Sequence, residues 1–273
     1  MIRNAITINL VPEVQGGPYV FDGDLAAACQ SAAKFEFDAI EILPAAGDAV
    51  PTSRVWKVLN EHDLKLAAVN TDAGWLVHRR TLTSADATVR QQARDFVRAM
   101  IDFAGPFGAP TSIGLMQGRW GGGTDRNTAM NYLEDALEEL ADHAKQYRVP
   151  LLYEPLNREE SNLVNLAADA VSLVKRLATN NVRLLGNLYH MSVEEKDVAA
   201  ALHQVNTLLG HLHFVDSNRR PAGCGSLDFA PIVATLNQIG YNSYVSAEAL
   251  PWPDAIAAAD QTMKMYQKLF TGK

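Results

Sequence analysis

The sequence of 273 residues contains little cysteine, no long hydrophobic run and no excess of basic charge. Its two cysteines, Cys29 and Cys224, are too few and too far apart for a disulfide framework or a cysteine-rich zinc site, and they favour a reducing cytoplasm. No apolar stretch approaches the roughly 18 residues that cross a bilayer, so no membrane partner is expected. The net charge of −7 argues against a nucleic-acid partner, because such proteins bind phosphates through a basic surface.

The sequence also lacks a glycine-rich phosphate-binding turn. Ala5–Leu10 predicts a first strand rather than a signal peptide, because polar residues interrupt it and no small-residue cleavage site follows. Gly16 and Gly17 follow this strand, but they form no G-x-G-x-x-G fingerprint, which a doubly wound dinucleotide-binding sheet would normally carry. This absence weighs against an open, doubly wound sheet.

What is present is a regular alternation of short apolar runs and longer amphipathic segments. The predicted strands are Ala5–Leu10, Phe37–Leu43, Leu64–Asn70, Thr111–Met116, Pro150–Pro155, Val182–Leu188, Gly210–Val215 and Ser243–Leu250. The predicted helices are Asp22–Lys34, Pro51–Glu61, Ser84–Ala104, Thr124–Tyr147, Leu166–Ala178, Val193–Val205, Phe229–Ile239 and Asp254–Leu269. No linker divides them. Eight β/α units of about 34 residues each predict one α/β domain over residues 1–273, a (β/α)8 TIM barrel.

Polar residues lie at matching positions at the ends of the last four predicted strands. Glu154, Asn187, His213 and Glu248 are separated by 33, 26 and 35 positions, close to one β/α unit each. Because TIM barrels carry their chemistry at the C-terminal ends of the strands, these side chains are expected to converge. Their oxygen and nitrogen atoms suit one divalent ion such as Mn²⁺, Mg²⁺ or Co²⁺. The alternative is that each residue separately caps a loop or pairs with an arginine.

The segments around these residues resemble the xylose isomerase-like TIM barrels, in particular the branch with ketose 3-epimerases and hydroxypyruvate isomerase. Residues 154–162 resemble its E-x-L-N-R-x-E-T segment, residues 188–195 its D-t-y-H-M-n-x-E-E segment, and residues 211–219 its G-H-x-H-x-x-D-x-x-R segment. Glu248 stands where the family has a glutamate in the last strand. The resemblance runs from about Glu41 to Glu248 and is most specific in the second half.

The resemblance implies proton transfer on a sugar or small hydroxy-carbonyl compound through an enediolate, in carbohydrate metabolism. Ketose 3-epimerisation is the first expectation, and aldose–ketose isomerisation, such as that of hydroxypyruvate, is the second. Glu154 and Glu248 are implied to be metal ligands and also acid/base groups on opposite faces of the sugar. Glu160, His190 and Arg219 match positions that hold substrate oxygens. One metal ion is implied, Mn²⁺ first, with Mg²⁺, Co²⁺ or Zn²⁺ as alternatives.

Asn187 departs from the family, which has a metal-binding aspartate at this position. Its carbonyl oxygen can ligate but carries no charge, so we expect weaker metal affinity, an altered choice of metal, or loss of catalysis. A sugar-binding protein without catalysis therefore stays an alternative. An abasic-site endonuclease is a further alternative on this fold, but it needs more metal-binding residues and a basic DNA-binding face. The sequence is compatible with a homo-oligomer and does not fix the oligomeric state.

Overall fold

The predicted strands form one closed parallel barrel in the computed structural model, which describes residues 1–272. In chain order they are β1 Arg3–Asn9, β2 Ala39–Leu43, β3 Lys65–Asn70, β4 Thr111–Ile113, β5 Leu151–Tyr153, β6 Val182–Asn187, β7 Leu209–His213 and β8 Tyr244–Ala247. Each strand pairs in parallel with the next, and β8 pairs with β1, with Arg3 opposite Tyr244. A two-residue strand, Phe21–Asp22, also pairs with β1. The predicted (β/α)8 barrel is confirmed.

Helices surround the barrel. Within residues 1–272 the α-helices are α1 Leu25–Lys34, α2 Thr52–Glu61, α3 Ala73–Leu76, α4 Ala87–Ala104, α5 Arg126–Ala144, α6 Ala167–Arg176, α7 Leu188–Glu194, α8 Val198–Val205, α9 Phe229–Gln238 and α10 Ala255–Tyr266. Short 3₁₀ turns cover Gly105–Phe107, Leu115–Gln117, Lys145–Tyr147 and Asn206–Leu208, and a π-helical turn covers Gln267–Thr271. In many of the helices, the residue directly before the first turn is an aspartate whose carboxylate accepts a backbone N–H of that turn. These capping residues are Asp24, Asp86, Asp125, Asp197, Asp228 and Asp254. Part of the excess of acidic residues therefore caps helices.

Several predicted helix boundaries differ from the structure by a few residues, and two of the differences are informative. The helix predicted from Ser84 begins at Ala87, because Asp86 accepts the N–H of Thr88 and so caps the helix. The helix predicted over Val193–Val205 is two helices, α7 and α8, and α7 starts directly after β6. The second correction places Asn187 at the start of a helix as well as at the end of a strand.

The residues of each strand alternate between two environments. Ile40 and Ile42 of β2 belong to the main apolar core between the strands and the helices. Ala39 and Glu41 alternate with them and therefore face the barrel interior. A small interior cluster contains Ala5, Ala39, Ala67 and Tyr244. Nearer the C-terminal ends of the strands, the buried residues include the charged and polar side chains Glu41, His211, His213 and Ser246.

The two cysteines are free thiols, Cys29 buried and Cys224 half-buried. Among the helices of residues 1–272, none is both long enough and apolar enough to cross a membrane.

Candidate active site

The structure brings the four predicted ligand residues together at one end of the barrel. Glu154 directly follows β5, Asn187 ends β6, His213 ends β7 and Glu248 directly follows β8. Each is at most 3% exposed. The Nδ1 atom of His213 lies 3.4 Å from Glu154 Oε1 and 3.4 Å from Glu248 Oε2. The convergence expected from the strand spacing is present, whereas the role of these residues as metal ligands stays a prediction.

Asn187 lies at the centre of this cluster. Its Nδ2 atom is 2.8 Å from Glu154 Oε1, 2.8 Å from Glu248 Oε2 and 3.0 Å from His213 Nδ1. Its Oδ1 atom accepts the backbone N–H of Tyr189, 3.1 Å away, at the start of α7. This helix cap orients the amide so that its nitrogen faces the cluster. A ligand role for Oδ1 would require the amide to rotate, and it stays a prediction.

The other three side chains offer a donor set that fits a divalent cation. One ligand atom each from Glu154, His213 and Glu248 lie within 4.8 Å of one another, and all three residues are buried. Two carboxylate oxygens and an imidazole nitrogen suit Mn²⁺, Mg²⁺, Co²⁺ or Zn²⁺. Buried carboxylates also require a compensating positive charge, which such a cation provides.

The pKa values of the two carboxyl groups of the cluster shift in opposite directions. Burial raises the pKa of Glu154 above its ordinary range, although His213 lowers it. Burial also acts to raise the pKa of Glu248, but His213 and Arg219 outweigh burial and hold that pKa below its ordinary range. Burial acts to lower the pKa of His213, yet Glu248, Glu41 and Glu154 raise it well above its ordinary range. The neighbouring charges thus make two similar side chains chemically unequal.

Arg219 joins the cluster to Glu160. Its Nη1 atom donates to Glu160 Oε1 at 2.6 Å, and its Nη2 atom lies 3.8 Å from Glu248 Oε2. The guanidinium group lies over the ring of Tyr189, 4.8 Å from its centre. The Nε–H of Arg219 is buried and has no hydrogen-bond partner within residues 1–272. Because buried donors are normally paired, this unpaired N–H marks the guanidinium group as a candidate binding group beside the cluster.

His190 lies between the cluster and Glu160. Its Nδ1 atom accepts the backbone N–H of Asn157 at 3.3 Å, and its Nε2 atom is 4.0 Å from Glu154 and 3.8 Å from Glu160. Burial, followed by the charge of Arg219, lowers the pKa of His190 to about 3. The ring is therefore neutral at neutral pH and carries its proton on Nε2. That N–H is a donor directed at the space between two carboxylates.

Sequence reasoning gave no role to Glu41 and His211, which lie beside the cluster. Glu41 Oε1 is 3.1 Å from His213 Nε2, and Glu41 Oε2 is 2.9 Å from His211 Nε2. Burial acts to raise the pKa of Glu41, but His213 and His211 outweigh it and hold that pKa well below its ordinary range. The H-x-H spacing in the sequence could have identified His211, because residues two positions apart on a strand face the same side of the sheet.

Asp72 is a second group that sequence reasoning missed. It follows β3 by two residues, is buried, and accepts the backbone N–H of Leu115 at 2.7 Å. A Cβ atom at Gly114 would lie 2.9 Å from Glu154 Oε2 and 3.0 Å from Asp72 Oδ1, so a glycine there leaves room for both carboxyl groups. Burial, then Glu154 and Glu248, raise the pKa of Asp72 to about 8. The rule that finds polar residues after strands would have found it.

A family model described as the xylose isomerase-like TIM barrel matches residues 29–269. The matched region contains most of the chain and includes every candidate site residue: Glu41, Asp72, Glu154, Glu160, Asn187, His190, His211, His213, Arg219 and Glu248.

Three relatives are named as sugar epimerases, a class of isomerase. The chain is 35% identical over 116 residues to 3-dehydro-D-guloside 4-epimerase of Escherichia coli, covering 42% of this chain and 44% of the relative. It is 30% identical over 173 residues to D-psicose 3-epimerase of Agrobacterium fabrum, covering 62% and 60%. It is 26% identical over 246 residues to L-ribulose 3-epimerase of Methylomonas sp., covering 87% and 84%. The chain thus spans less than two thirds of the first two relatives.

Solved structures share the fold. The crystal structure of D-allulose 3-epimerase from Methylomonas sp. in complex with D-allulose matches with a TM-score of 0.82 and 21% identity, over 98% of this chain and 97% of that chain. The crystal structure of D-psicose 3-epimerase in the presence of D-fructose matches with a TM-score of 0.81 and 20% identity, over 98% and 99%. At these identities the similarity shows the barrel architecture alone.

Proposed function

Since the chain belongs to the family of xylose isomerase-like TIM barrels, we propose that it is a metal-dependent sugar isomerase that epimerises a ketose at C3. The observation that carries this proposal is the pair of buried carboxyl groups, Glu154 and Glu248, each 3.4 Å from His213 Nδ1. The relatives that are named as 3-epimerases support the choice of reaction.

Epimerisation needs two acid/base groups. One group removes the proton from the carbon beside the carbonyl, and the other returns a proton to the opposite face of that carbon. Glu154 and Glu248 follow β5 and β8, which are separated in the barrel by β6 and β7. The two carboxyl groups therefore approach a bound sugar from different sides. Which one takes the proton depends on the configuration of the substrate carbon, and the roles exchange in the reverse reaction.

Glu154, His213 and Glu248 would hold the cation, with Asn187 as the predicted fourth ligand. Mn²⁺ is the first choice, and Mg²⁺, Co²⁺ or Zn²⁺ are alternatives. When bound, such a cation supplies Lewis-acid polarisation of the carbonyl of an α-hydroxy-carbonyl substrate.

The surrounding residues hold the substrate oxygens and the developing charge. His190 donates from Nε2, since its Nδ1 accepts from Asn157. Arg219 fixes Glu160 through Nη1, and its unpaired Nε–H is a second donor. The positive charge of Arg219 stabilises the negative oxygen that forms as the α-proton leaves. Because the cluster is buried, water is excluded and these interactions are stronger than they would be in solvent.

The experiment is deuterium uptake by a panel of free ketoses and small 2-hydroxy carbonyls in D₂O, with Mn²⁺, Mg²⁺ or Co²⁺ added. Proton NMR is recorded after protein and metal are removed. Deuterium at C3, with formation of the C3 epimer, supports the proposal. Deuterium at C1 or C2 identifies aldose–ketose isomerisation instead. Binding of metal and sugar without any exchange contradicts an enzymatic role and favours a sugar-binding protein.

The proposed binding partner and cellular compartment follow from the site residues and the two cysteines. The partner is a small-molecule substrate, because the candidate site is a buried cluster of side chains rather than an exposed basic surface. A reducing compartment such as the cytoplasm suits the two free thiols.

A further inference from the structure

Glu41 of β2 lies directly beside the candidate metal ligand His213. Its two carboxylate oxygens contact two imidazole rings, Oε1 with His213 Nε2 at 3.1 Å and Oε2 with His211 Nε2 at 2.9 Å. The three side chains are buried. Within residues 1–272, no lysine or arginine forms an ion pair with Glu41, whose ion-pair partners are the two histidines. The carboxylate therefore depends on the ring N–H groups for compensation.

When the His213 ring is neutral, as a metal ligand must be, the contact with Glu41 decides which of its two nitrogens keeps the proton. An ionised carboxylate can only accept hydrogen bonds, so the Nε2 atom of His213 must donate. The other ring nitrogen, Nδ1, is the one that lies 3.4 Å from both Glu154 and Glu248. A metal-binding histidine must offer a lone pair on one ring nitrogen. The nitrogen that donates its proton in a hydrogen bond cannot bind the metal, so the other nitrogen is the ligand.

His211 holds the other oxygen of the same carboxylate. Residues 211 and 213 lie on one face of β7, and their rings are nearly perpendicular, at 88°, with centres 5.6 Å apart. The Nδ1 atom of His211 is buried and has no hydrogen-bond partner in the described part of the chain. The bond to Glu41 is therefore the polar contact that this ring makes, and it prevents the carboxylate from rotating away from His213.

We propose that Glu41, braced by His211, is a positioning residue that keeps a proton on Nε2 of His213 and so presents Nδ1 to the metal ion. This inference rests on the proposed metal-dependent function. A purely structural ion pair would stabilise the fold without fixing which nitrogen of His213 faces the cluster.

The first test is calorimetric titration of Mn²⁺ into the wild-type protein, Glu41→Gln and a control, Glu194→Gln. Both glutamate side chains are 2% exposed, and Glu194 pairs with Arg158 rather than with His213. We expect Glu41→Gln to weaken Mn²⁺ binding about 10- to 100-fold, with the control near wild type and both variants folded by circular dichroism. Wild-type affinity in Glu41→Gln, or an equal loss in the control, would overturn the proposal.

The second test uses the wild-type protein alone, so it does not depend on the folding of a variant. Spectra of protein with ¹⁵N-labelled histidine are recorded with EDTA and then with excess Mg²⁺. We expect Nε2 of His213 to carry a slowly exchanging proton in both conditions. An unprotonated Nε2 in either condition would overturn the proposal. If the wild-type protein binds no Mn²⁺, the proposed metal dependence fails, while these spectra still decide whether Nε2 of His213 carries the proton.

Discussion

Asn187 combines two functions within one side chain. Its oxygen caps α7 through Tyr189, and its nitrogen contacts Glu154, Glu248 and His213. An amide nitrogen is a hydrogen-bond donor and not a metal ligand. In this orientation the side chain neutralises none of the buried charge, although it satisfies the carboxylate oxygens. Compared with the aspartate that the family resemblance implies at this position, Asn187 therefore changes both the charge and the hydrogen bonding of the site.

Replacing Asn187 with aspartate tests its effect on metal binding. The substitution removes the N–H donor and adds a third carboxylate that faces the cluster. We expect Asn187→Asp to bind Mn²⁺ about tenfold or more tightly, a gain of ~1.4 kcal/mol, because an anionic ligand replaces a neutral group. Calorimetric titration of both proteins gives the comparison. Unchanged or weaker affinity in the variant would contradict a position of residue 187 next to the cation.

Asp72 makes stability depend on pH. Its pKa is raised from an ordinary value of 3.8 to about 8, first by burial and then by Glu154 and Glu248. Between these values the folded protein keeps the proton that the unfolded chain loses. The stabilisation is therefore complete below about pH 4 and is lost as the pH rises through about 8.

We therefore expect the free energy of unfolding to fall between about pH 5 and pH 9, and to fall less in Asp72→Asn, which cannot ionise. Urea denaturation in the presence of EDTA measures this, since EDTA removes cations that would change the carboxyl groups. An equal fall in the two proteins would show that Asp72 does not bind this proton.

At the scale of elements, the periodicity of the sequence predicts every barrel strand and some helix starts, such as Phe229, but it does not predict where every helix starts. Ser84 is a good capping residue by type, yet Asp86 caps α4, because its carboxylate reaches the N–H of Thr88 at 2.7 Å. The seven-residue helix α7 is too short to show a helical repeat of apolar residues. It depends instead on the Asn187 cap, a tertiary detail of the site. Helix boundaries near the site could therefore not be read from the sequence.

The cap of α4 gives a direct test at this scale. We expect Asp86→Ala to lower the free energy of unfolding by about 1 kcal/mol, because the N–H of Thr88 loses its partner. Ser84→Ala is the matched control and should cost clearly less, since Ser84 lies outside the helix and caps only the N–H of Asp86. Urea denaturation of the three proteins compares them. An equal or larger loss in the control would restore Ser84 as the helix cap.

At the scale of the whole molecule, barrel closure decides which part of the site was predictable. Glu154, Asn187, His213 and Glu248 lie at the ends of consecutive strands, so their spacing along the chain was sufficient to predict that they converge. Glu41 contacts His213 from β2, 172 positions away, across the barrel interior. That contact depends on how far the strands tilt and which interior side chains meet, and sequence spacing carries no information about either.

The closed barrel also brings together the two carboxyl groups of the proposed acid/base pair. Glu154 and Glu248 follow strands that are not neighbours, yet both lie beside the same His213 nitrogen because the strand ends form a ring. An open sheet would place residues three strands apart about 14 Å from one another, beyond the reach of a single carbon atom.

The proposed acid/base pair of Glu154 and Glu248 is tested most directly by deuterium uptake at C3 of the ketose identified from the panel. The measurement compares wild type, Glu154→Gln and Glu248→Gln. Glutamine keeps the size of each side chain but cannot transfer a proton, so each variant should lose exchange by a factor of about 10² to 10⁴. Glu159→Gln, an exposed neighbour in the same loop, should exchange like wild type. Wild-type exchange in either Glu154→Gln or Glu248→Gln would contradict an acid/base pair formed by these two residues.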